Sequence, residues 1–567
     1  MRKWVLRDSL LRGLVWLGVF VVLTTEVLSV FHALRPIPLA LCWLVLLCGT
    51  GHRLSWPVRR GCDKVVLAIS TAIAGIAAII ALTALLYPPN SADAMAYHMP
   101  RVVYWAQAHS VAFFATPYLN QIMLQPMNEY VMLHVYLLTG GDWFINLIAC
   151  AAFVACVIGV SAIAAAFGLG ARAQAIAALL CATLPNAILQ ASGAKNDGML
   201  ALWLVCAVYF ASKRDAKMLG LAAGLALATK GTAYLFLPPI LLATVEWNRR
   251  VLAWLAAGMV ILNGPQYVRN LQLSGLPLGF DSAQADGVYR WRNEHLGVGV
   301  LASNVLRNAS EQLGARSEAW NSAVFDAAVR AHHLLGLDPN DPNTTWPGVA
   351  FAPPVNANHE ANANNRWHLL LYAVAAICAM RDRRWAVYAV GLIGAFLLFC
   401  SYLKWQPFLA RLELPLFVLA APLGAWALDK LHPEWLALVP CVFFLSGTRL
   451  PLLQNWTRPL IYAQGTREER YFNDMSQWNN RASYFDAAAA VKSAGCNVVG
   501  IDINGNQLEY PLMVLLRGSY FEHTGVKNPS SRYIDSTATK PCAIVCLDCA
   551  TDAPQKFGKF GVWVRTP

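Results

Sequence analysis

The chain has 567 residues, of which 57% are hydrophobic and only 13% charged. Soluble proteins carry about 25% charged residues, so an assembly of water-soluble domains is excluded and a polytopic membrane protein is implied. The net charge of +12 does not point to nucleic acid, because the basic residues fall between apolar runs and form no stripe interleaved with aromatics. They read instead as orientation signals among lipid headgroups.

The apolar runs are about 15 to 25 residues long, which suits a hydrocarbon core about 30 Å thick. The first covers 11–30 and the second 37–48. No small-residue cleavage pattern follows the first, so it reads as a retained span. Arg7 before it and Arg53, Arg59, Arg60 and Lys64 after the second place both flanks on the cytoplasmic side. A third span, 65–86, then delivers the stretch Ser91-Ala-Asp-Ala-Met-Ala-Tyr-His-Met-Pro-Arg101 to the outer side. Asp93, Tyr97, His98 and Arg101 therefore stand at a membrane surface. In a chain so poor in charge, a carboxylate there invites a functional explanation.

Residues 99–140 mix polar and aromatic side chains and are divided by Pro100, Pro117 and Pro126. They read as short amphipathic helices lying in the outer interface. Spans at 143–167 and 173–189 follow, joined by a turn with Arg172. The outer segment 190–197 places Asp197 at the start of span six, which ends at Lys213 and Arg214. The run 219–245 is too long for one span. It breaks at Thr229-Lys-Gly-Thr232 and at Pro238-Pro239, and such breaks survive in a membrane only when they face protein or a wet cavity. Lys230 sits in that break. Span nine, 251–261, leads to an outer segment that begins near 264 and a long polar loop to 366, a length that calls for a binding or lid role. Spans at 367–380, up to 402, 412–427 and 435–445 complete about thirteen, with the N-terminus inside and the tail outside.

Residues 451–567 form a polar tail. The runs 498–503 and 543–547 are β-like and 484–494 is helical in pattern, so a small outer α/β domain is expected beyond the membrane domain 1–450. Cys496, Cys542, Cys546 and Cys549 lie in it, and one or two disulfides are expected there rather than a metal site. No phosphate-binding glycine loop is present, since Gly500 and Gly505 lack the following Lys-Ser/Thr pair.

Four motifs recur in a telling order. They are Asp93 with Tyr97 and Arg101, the Asn196-Asp197 pair, Leu225-Ala-Leu-Ala-Thr-Lys-Gly231, and Pro265-Gln-Tyr-Val-Arg-Asn270 followed by Gly275-Leu-Pro277. On these, residues of about 11–450 resemble the GT-C superfamily of integral-membrane glycosyltransferases. The likeness is greatest to the bacterial relatives of protein mannosyltransferase and of the lipid A aminoarabinose transferase. The resemblance implies a GT-C-like fold in a bacterial inner membrane, with active site and tail facing the periplasm. It implies sugar transfer, usually with inversion, from a polyprenyl-phosphate carrier to an envelope glycan, lipid or protein. The chain is expected to act as a monomer, without nucleic acid.

With a phosphate as leaving group, such transfer needs a base and a cationic cradle but no acid. Asp93 is the candidate base, and its pKa should rise if the group is unpaired; the plain alternatives are a helix cap or a pair with Arg101. Asp197 holds the acceptor hydroxyl or joins Asp93 and His98 at a divalent metal; the alternative is capping of span six by Asn196 or Asp197. Lys230, Arg269, Lys404 and Arg411 are candidate phosphate ligands, against simple snorkelling at span ends. His332 and His333 read as loop residues or as contacts at the mouth, and His98 likewise. Tyr97, Tyr104 and Trp105 suit sugar or prenyl contact, although aromatic belts also place such residues at interfaces. A diphosphate-dependent polysaccharide ligase, a flippase with inverted repeats and a scaffold presenting the tail remain open.

Overall fold

The computed structural model describes residues 2–50, 63–355, 357–462, 465–473, 480–535, 539–548 and 552–565. Arg53, Arg59, Arg60 and Cys549 lie outside them. Among the described residues, six helices are long and apolar enough to cross a membrane, and seven shorter apolar helices of 10–17 residues accompany them. The long ones are Leu6–Val30, Lys64–Leu86, Asn146–Ala166, Arg249–Ser274, Arg383–Tyr402 and Trp435–Leu453.

Charge and capping give the bundle two unlike ends. Asp63, Asp215, Asn248 and Asp382 cap four helices by accepting from backbone N–H groups of their first turns. This satisfies donors that no helix can pair internally. At the same end, Arg7 donates to Ser161 (2.6 Å), Arg12 to Asp215 (2.6 Å), Arg172 to Asp63 (2.7 Å) and Arg384 to the Ala166 carbonyl (2.9 Å). The basic turns read from the sequence thus meet one another. Asp93, Asp197 and Lys230 lie at the opposite end.

Close packing positions Lys230. The helices Ala216–Thr229 and Arg249–Ser274 touch through Gly220, Gly224 and Gly258; a Cβ on Gly220 would stand 2.2 Å from the Trp254 carbonyl oxygen, and one on Gly258 2.1 Å from that of Gly220. Small residues four apart permit such backbone approach. The first of these helices stops at Lys230, and Ala233–Thr244 starts three residues on. That break was expected. The second, at Pro238-Pro239, is absent: the helix runs through both prolines.

Two other boundaries move for physical reasons. The span expected at 173–189 divides into Ala171–Ala182 and Pro185–Gln190, because Pro185 lacks an N–H and disfavours helix at the residue before it. The span expected to end at 261 continues to Ser274. Its polar residues face protein rather than water: Asn263 donates to the Gly224 carbonyl (3.0 Å), Gln266 to that of Ile122 (2.9 Å) and Asn270 to that of Met123 (3.1 Å). The loop that follows carries a helical hairpin, Val298–Gln312 and Glu318–Leu334.

The tail folds into a five-stranded sheet. Its strands are β1 (Val498–Asp502), β2 (Tyr520–His523), β3 (Ala543–Cys546), β4 (Gln555–Phe557) and β5 (Phe560–Val564), in the order β2-β1-β3-β5-β4. β1 pairs in parallel with β2 and β3, and β5 is antiparallel to β3 and β4. Helix Arg481–Ser493 packs on β5, and Tyr484 donates to the Leu508 carbonyl (2.7 Å). Cys496 and Cys542 form a disulfide with Cα atoms 5.7 Å apart; Cys546 is also disulfide-bonded.

The first of the helices expected to lie in the interface, Met99–Ala108, packs against the tail domain. Residues Met99–Trp105 of helix Met99–Ala108 are buried. Gln107 exchanges two hydrogen bonds with the Phe521 backbone, at 3.0 and 3.2 Å. Tyr104 donates to Glu509 (3.1 Å), which also meets His523 (2.9 Å). Tyr104 and Trp105 therefore hold structure together: Trp105 packs on Tyr130 beneath the Arg101 guanidinium.

Candidate active site

Asp93 stands just before a single wide π-turn, Ala94–His98, a local geometry common at functional sites. Its side chain caps nothing. Arg411, 318 residues away in the short helix Leu409–Leu412, donates from Nη1 to Asp93 Oδ2 at 2.5 Å. The partner is therefore Arg411 and not Arg101. The Asp93 side chain remains 21% exposed.

That pairing reverses the expected pKa. Burial pushes Asp93 up, but the charges of Arg411, Lys195, His98 and Lys230 together outweigh it and hold the carboxyl well below the usual carboxylate range. A general base must be ionised, and Asp93 is; its affinity for a proton is low for as long as Arg411 stays with it.

Asp197 opens helix Asp197–Ser212 and is buried. Lys230 donates to its Oδ1, while Oδ2 is buried with no hydrogen-bond partner. The capping alternative fails, since Asn196 makes no capping bond and donates instead to the Thr229 carbonyl (3.3 Å). Arg411 lies in the field of both Asp93 and Asp197, with Tyr97 beside it. Tyr97 packs on His98 and Tyr118, with ring centroids 4.1 and 6.2 Å away.

A third charge group adjoins these two pairs. Glu360 is fully buried and meets Lys195 (3.1 Å) and Arg458. Arg458 also donates to Asn90 (2.9 Å), to Ser192 (3.0 Å) and to the Leu189 carbonyl (2.9 Å). Lys195 acts on both Glu360 and Asp93, so it links the groups. Burial raises Glu360, and Arg458 and Lys195 bring it down to about 2. Lys195, Lys230, Arg411 and Arg458 thus face Asp93, Asp197 and Glu360. One positive charge is left over in a nearly dry setting, where it attracts an anion strongly.

The sequence did not single out Lys195, Glu360 or Arg458. Lys195 stood two residues from Asp197, which was a usable signal. Arg458 lay beyond the domain boundary drawn at 450, and nothing local tied it to Asn90, 368 positions earlier.

Other expected residues go elsewhere. His98 Nδ1 is 2.5 Å from Glu129 Oε1, both buried. Arg101 is buried, donates to the Ile122 carbonyl (3.0 Å) and leaves Nε and Nη1 without a hydrogen bond. Arg269 grips Glu26 with two nitrogens, at 2.9 and 2.7 Å. Lys404 is buried and donates to Glu294 (2.7 Å), tying the long loop after Ser274 to the end of helix Arg383–Tyr402. His332 is a correction to the mouth-contact reading: its ring nitrogens meet Ser303 (3.0 Å) and the Ala328 carbonyl (2.7 Å) inside the helical hairpin. His333 is exposed on the last turn of the same hairpin. Asp93, Asp197 and His98 face Arg411, Lys230 and Glu129 respectively, and among the described residues no group of three His, Cys, Asp or Glu side chains stands where it could hold a metal ion.

No family model and no curated protein matches the chain. Among solved structures it is similar to ArnT from Cupriavidus metallidurans, both in the apo state and bound to undecaprenyl phosphate. Each comparison gives a TM-score of 0.50 at 15% sequence identity and covers 85% of this chain and 93% of that one. The likeness is one of fold, and at that level it bears out the resemblance to the lipid A aminoarabinose transferase group of the GT-C type.

Proposed function

We propose that this chain is a membrane glycosyltransferase. It takes a sugar from a polyprenyl-phosphate carrier and passes it, with inversion, to an envelope glycan, lipid or protein. The site and the tail domain face the periplasm of a bacterial inner membrane crossed by about thirteen helices. The observation that carries the proposal is the Asp93–Arg411 pair beside Lys230–Asp197, with Lys195 adding the excess positive charge. The similar ArnT structure with undecaprenyl phosphate bound supports a carrier of that class.

The carrier phosphate occupies the cradle of Arg411, Lys230 and Lys195. Arginine pairs with phosphate through two parallel donors, so the phosphate competes with Asp93 for Arg411. As Arg411 turns to the phosphate, Asp93 loses the leading charge that keeps its proton affinity low. It then takes the proton of the acceptor hydroxyl as that oxygen bonds to the anomeric carbon. The bond from that carbon to the phosphate oxygen breaks, and its electron pair leaves with the phosphate. Base activation is thereby tied to donor binding. Asp197 holds Lys230 in place, and Tyr97 borders the sugar. No step is routed through a divalent ion, and equal rates with and without chelator are expected.

The test is sugar transfer by the purified chain in lipid discs with a polyprenyl-phosphate sugar as donor. Asp93→Asn should cost about 10²–10⁴ in rate, with a cooperative melting transition that is lowered by the lost pairing with Arg411. Transfer near the wild-type rate would remove Asp93 from the mechanism.

A further inference from the structure

The turn that follows Asp93 holds a carbonyl that its own helix cannot satisfy. Pro100 has no N–H, so the Ala96 carbonyl lacks the donor that the next α-helical turn would give it. The backbone widens there, and the Met99 N–H reaches back to the Ala94 carbonyl rather than to that of Met95. Ala96 is buried, and a buried carbonyl without a donor is costly.

The missing donor comes from elsewhere. Gln121 Nε2 donates to the Ala96 carbonyl at 2.9 Å. The same nitrogen donates to Glu509 of the tail domain. Both side chains are fully buried. Gln121 Oε1 accepts from Thr116 (2.8 Å), which fixes the orientation of the amide. Thr116 is itself held by the tail. Its N–H donates to Ser530 Oγ (3.0 Å), and its carbonyl accepts from Ser530 (2.9 Å) and Asn528 (2.8 Å). Tyr104 (3.1 Å) and His523 (2.9 Å) complete the surroundings of Glu509. Both ends of the Gln121 amide thus lead to the tail, and its nitrogen also grips the turn between Asp93 and Tyr97.

We propose that the tail domain places the reacting carboxylate: Glu509 and Gln121 are positioning residues that set Asp93 and Tyr97 through the Ala96 carbonyl. A displacement of about 1 Å in a reacting group costs about 10²-fold in rate, so a hold of this kind has a kinetic consequence. Gln107 gives the contrast. It exchanges two hydrogen bonds with the Phe521 backbone, so it also docks the tail, but at the far end of helix Met99–Ala108 from the turn. The effect on rate rests on the transfer reading given above; the hold on the turn does not.

The experiment compares the full chain in lipid discs with four variants. It reads hydrogen exchange in the peptide 93–101, kcat for sugar transfer, and affinity for polyprenyl phosphate. Gln121→Met keeps the size of the side chain and removes its donor. Glu509→Ala removes the tail's hold. Glu509→Gln keeps an oxygen for Gln121 and turns its amide toward Tyr104 and His523, either of which can accept. Gln107→Ala loosens the tail away from the turn. Amides of the turn should exchange about ten-fold faster in Gln121→Met and Glu509→Ala, the effect of one lost buried hydrogen bond. In the same two variants kcat should fall about 10²-fold with affinity for polyprenyl phosphate unchanged. Glu509→Gln should restore both readouts, and Gln107→Ala should change neither. If Glu509→Ala does not fold, Gln121→Met and Glu509→Gln carry the comparison. Unchanged exchange in Gln121→Met overturns the proposal. So does an equal fall of kcat in Gln107→Ala, which would make the tail a cover only, or a loss of carrier affinity in step with kcat. Absence of sugar transfer by the native chain, with the exchange pattern as expected, would count against the proposed function and leave the positioning of the turn standing.

Discussion

Two charge clusters lie within the same helical bundle, and they use their hydrogen bonds differently. Around Arg269 all three guanidinium nitrogens donate: Nη1 and Nη2 hold Glu26, Nη2 also meets the Tyr130 hydroxyl at 2.9 Å, and Gln266 accepts from Nε and Nη2 at 3.2 and 3.1 Å. Tyr130 in turn donates to Glu26. Around Arg411 capacity is left over: its Nε and the Asp197 Oδ2 are buried without partners. Residue type does not separate a ligand cradle from a structural clasp, since both contain arginine and carboxylate. What separates these two clusters is unspent valence beside paired carboxylates, since an orphaned buried polar atom is costly until a ligand completes it. Orphaned atoms alone do not suffice, because Arg101 also keeps Nε and Nη1 without a hydrogen bond.

The largest expected effect comes from cutting the link behind the open cluster. Glu360→Ala leaves Lys195 and Arg458 buried without their carboxylate, and stability should fall by about 3–5 kcal/mol, read as a lower melting temperature in detergent. Arg411→Ala acts on the cradle itself. It should weaken carrier binding by about 1.5–3 kcal/mol, the worth of a hydrogen bond to a charged group. It should also move the acidic limb of the rate–pH profile upward, because burial then raises Asp93 with less to oppose it. The sign follows from linkage: the Asp93 pKa is depressed in the folded chain, so the stability it contributes is present above the ordinary carboxylate range and is lost only on acidification below it. In Arg411→Ala the depression is smaller, so less stability is lost over the same acidic range. An unmoved profile with unchanged carrier affinity would erase the difference between the two clusters.

Arg269→Ala sharpens the comparison from the other side. Both partners are 16% exposed, so solvent screening trims the effect. Stability should fall by about 1–2 kcal/mol with the apparent affinity for carrier unchanged. A selective loss of carrier affinity would place Arg269 in the cradle after all.

A pH-dependent effect belongs to two carboxyls at helix ends, Glu311 in Val298–Gln312 and Glu413 just before Leu414–Asp429. Burial pushes Glu413 and Glu311 up to about 8, from an ordinary value of 4.5. Between those values the folded chain keeps protons that the unfolded chain has released. Their contribution is therefore fullest below pH 4.5 and is lost as the pH rises through about 8. Glu413→Gln should flatten the decline of melting temperature between these limits, and a decline as steep as in the native chain would contradict the assignment.

Much of this was legible in the chain. Apolar runs located the helices, because a membrane demands them, and the scarcity of charge made Asp93, Asp197 and Lys230 conspicuous. What failed was partnership. Arg101, eight residues from Asp93, was the natural candidate by proximity, yet the partner is Arg411, 318 positions on. Polar residues misled at Asn263, Gln266 and Asn270: they read as a loop in water but bond to neighbouring backbone inside the protein. The pattern of residues 99–108 gave a helix correctly, but its cover, the tail domain, lies more than 400 positions away.

The most direct test is a structure of the chain in lipid with polyprenyl phosphate added. The account predicts phosphate between Arg411 and Lys230, with Arg411 drawn off Asp93. Phosphate bound elsewhere, with the Asp93–Arg411 pair intact, would contradict it.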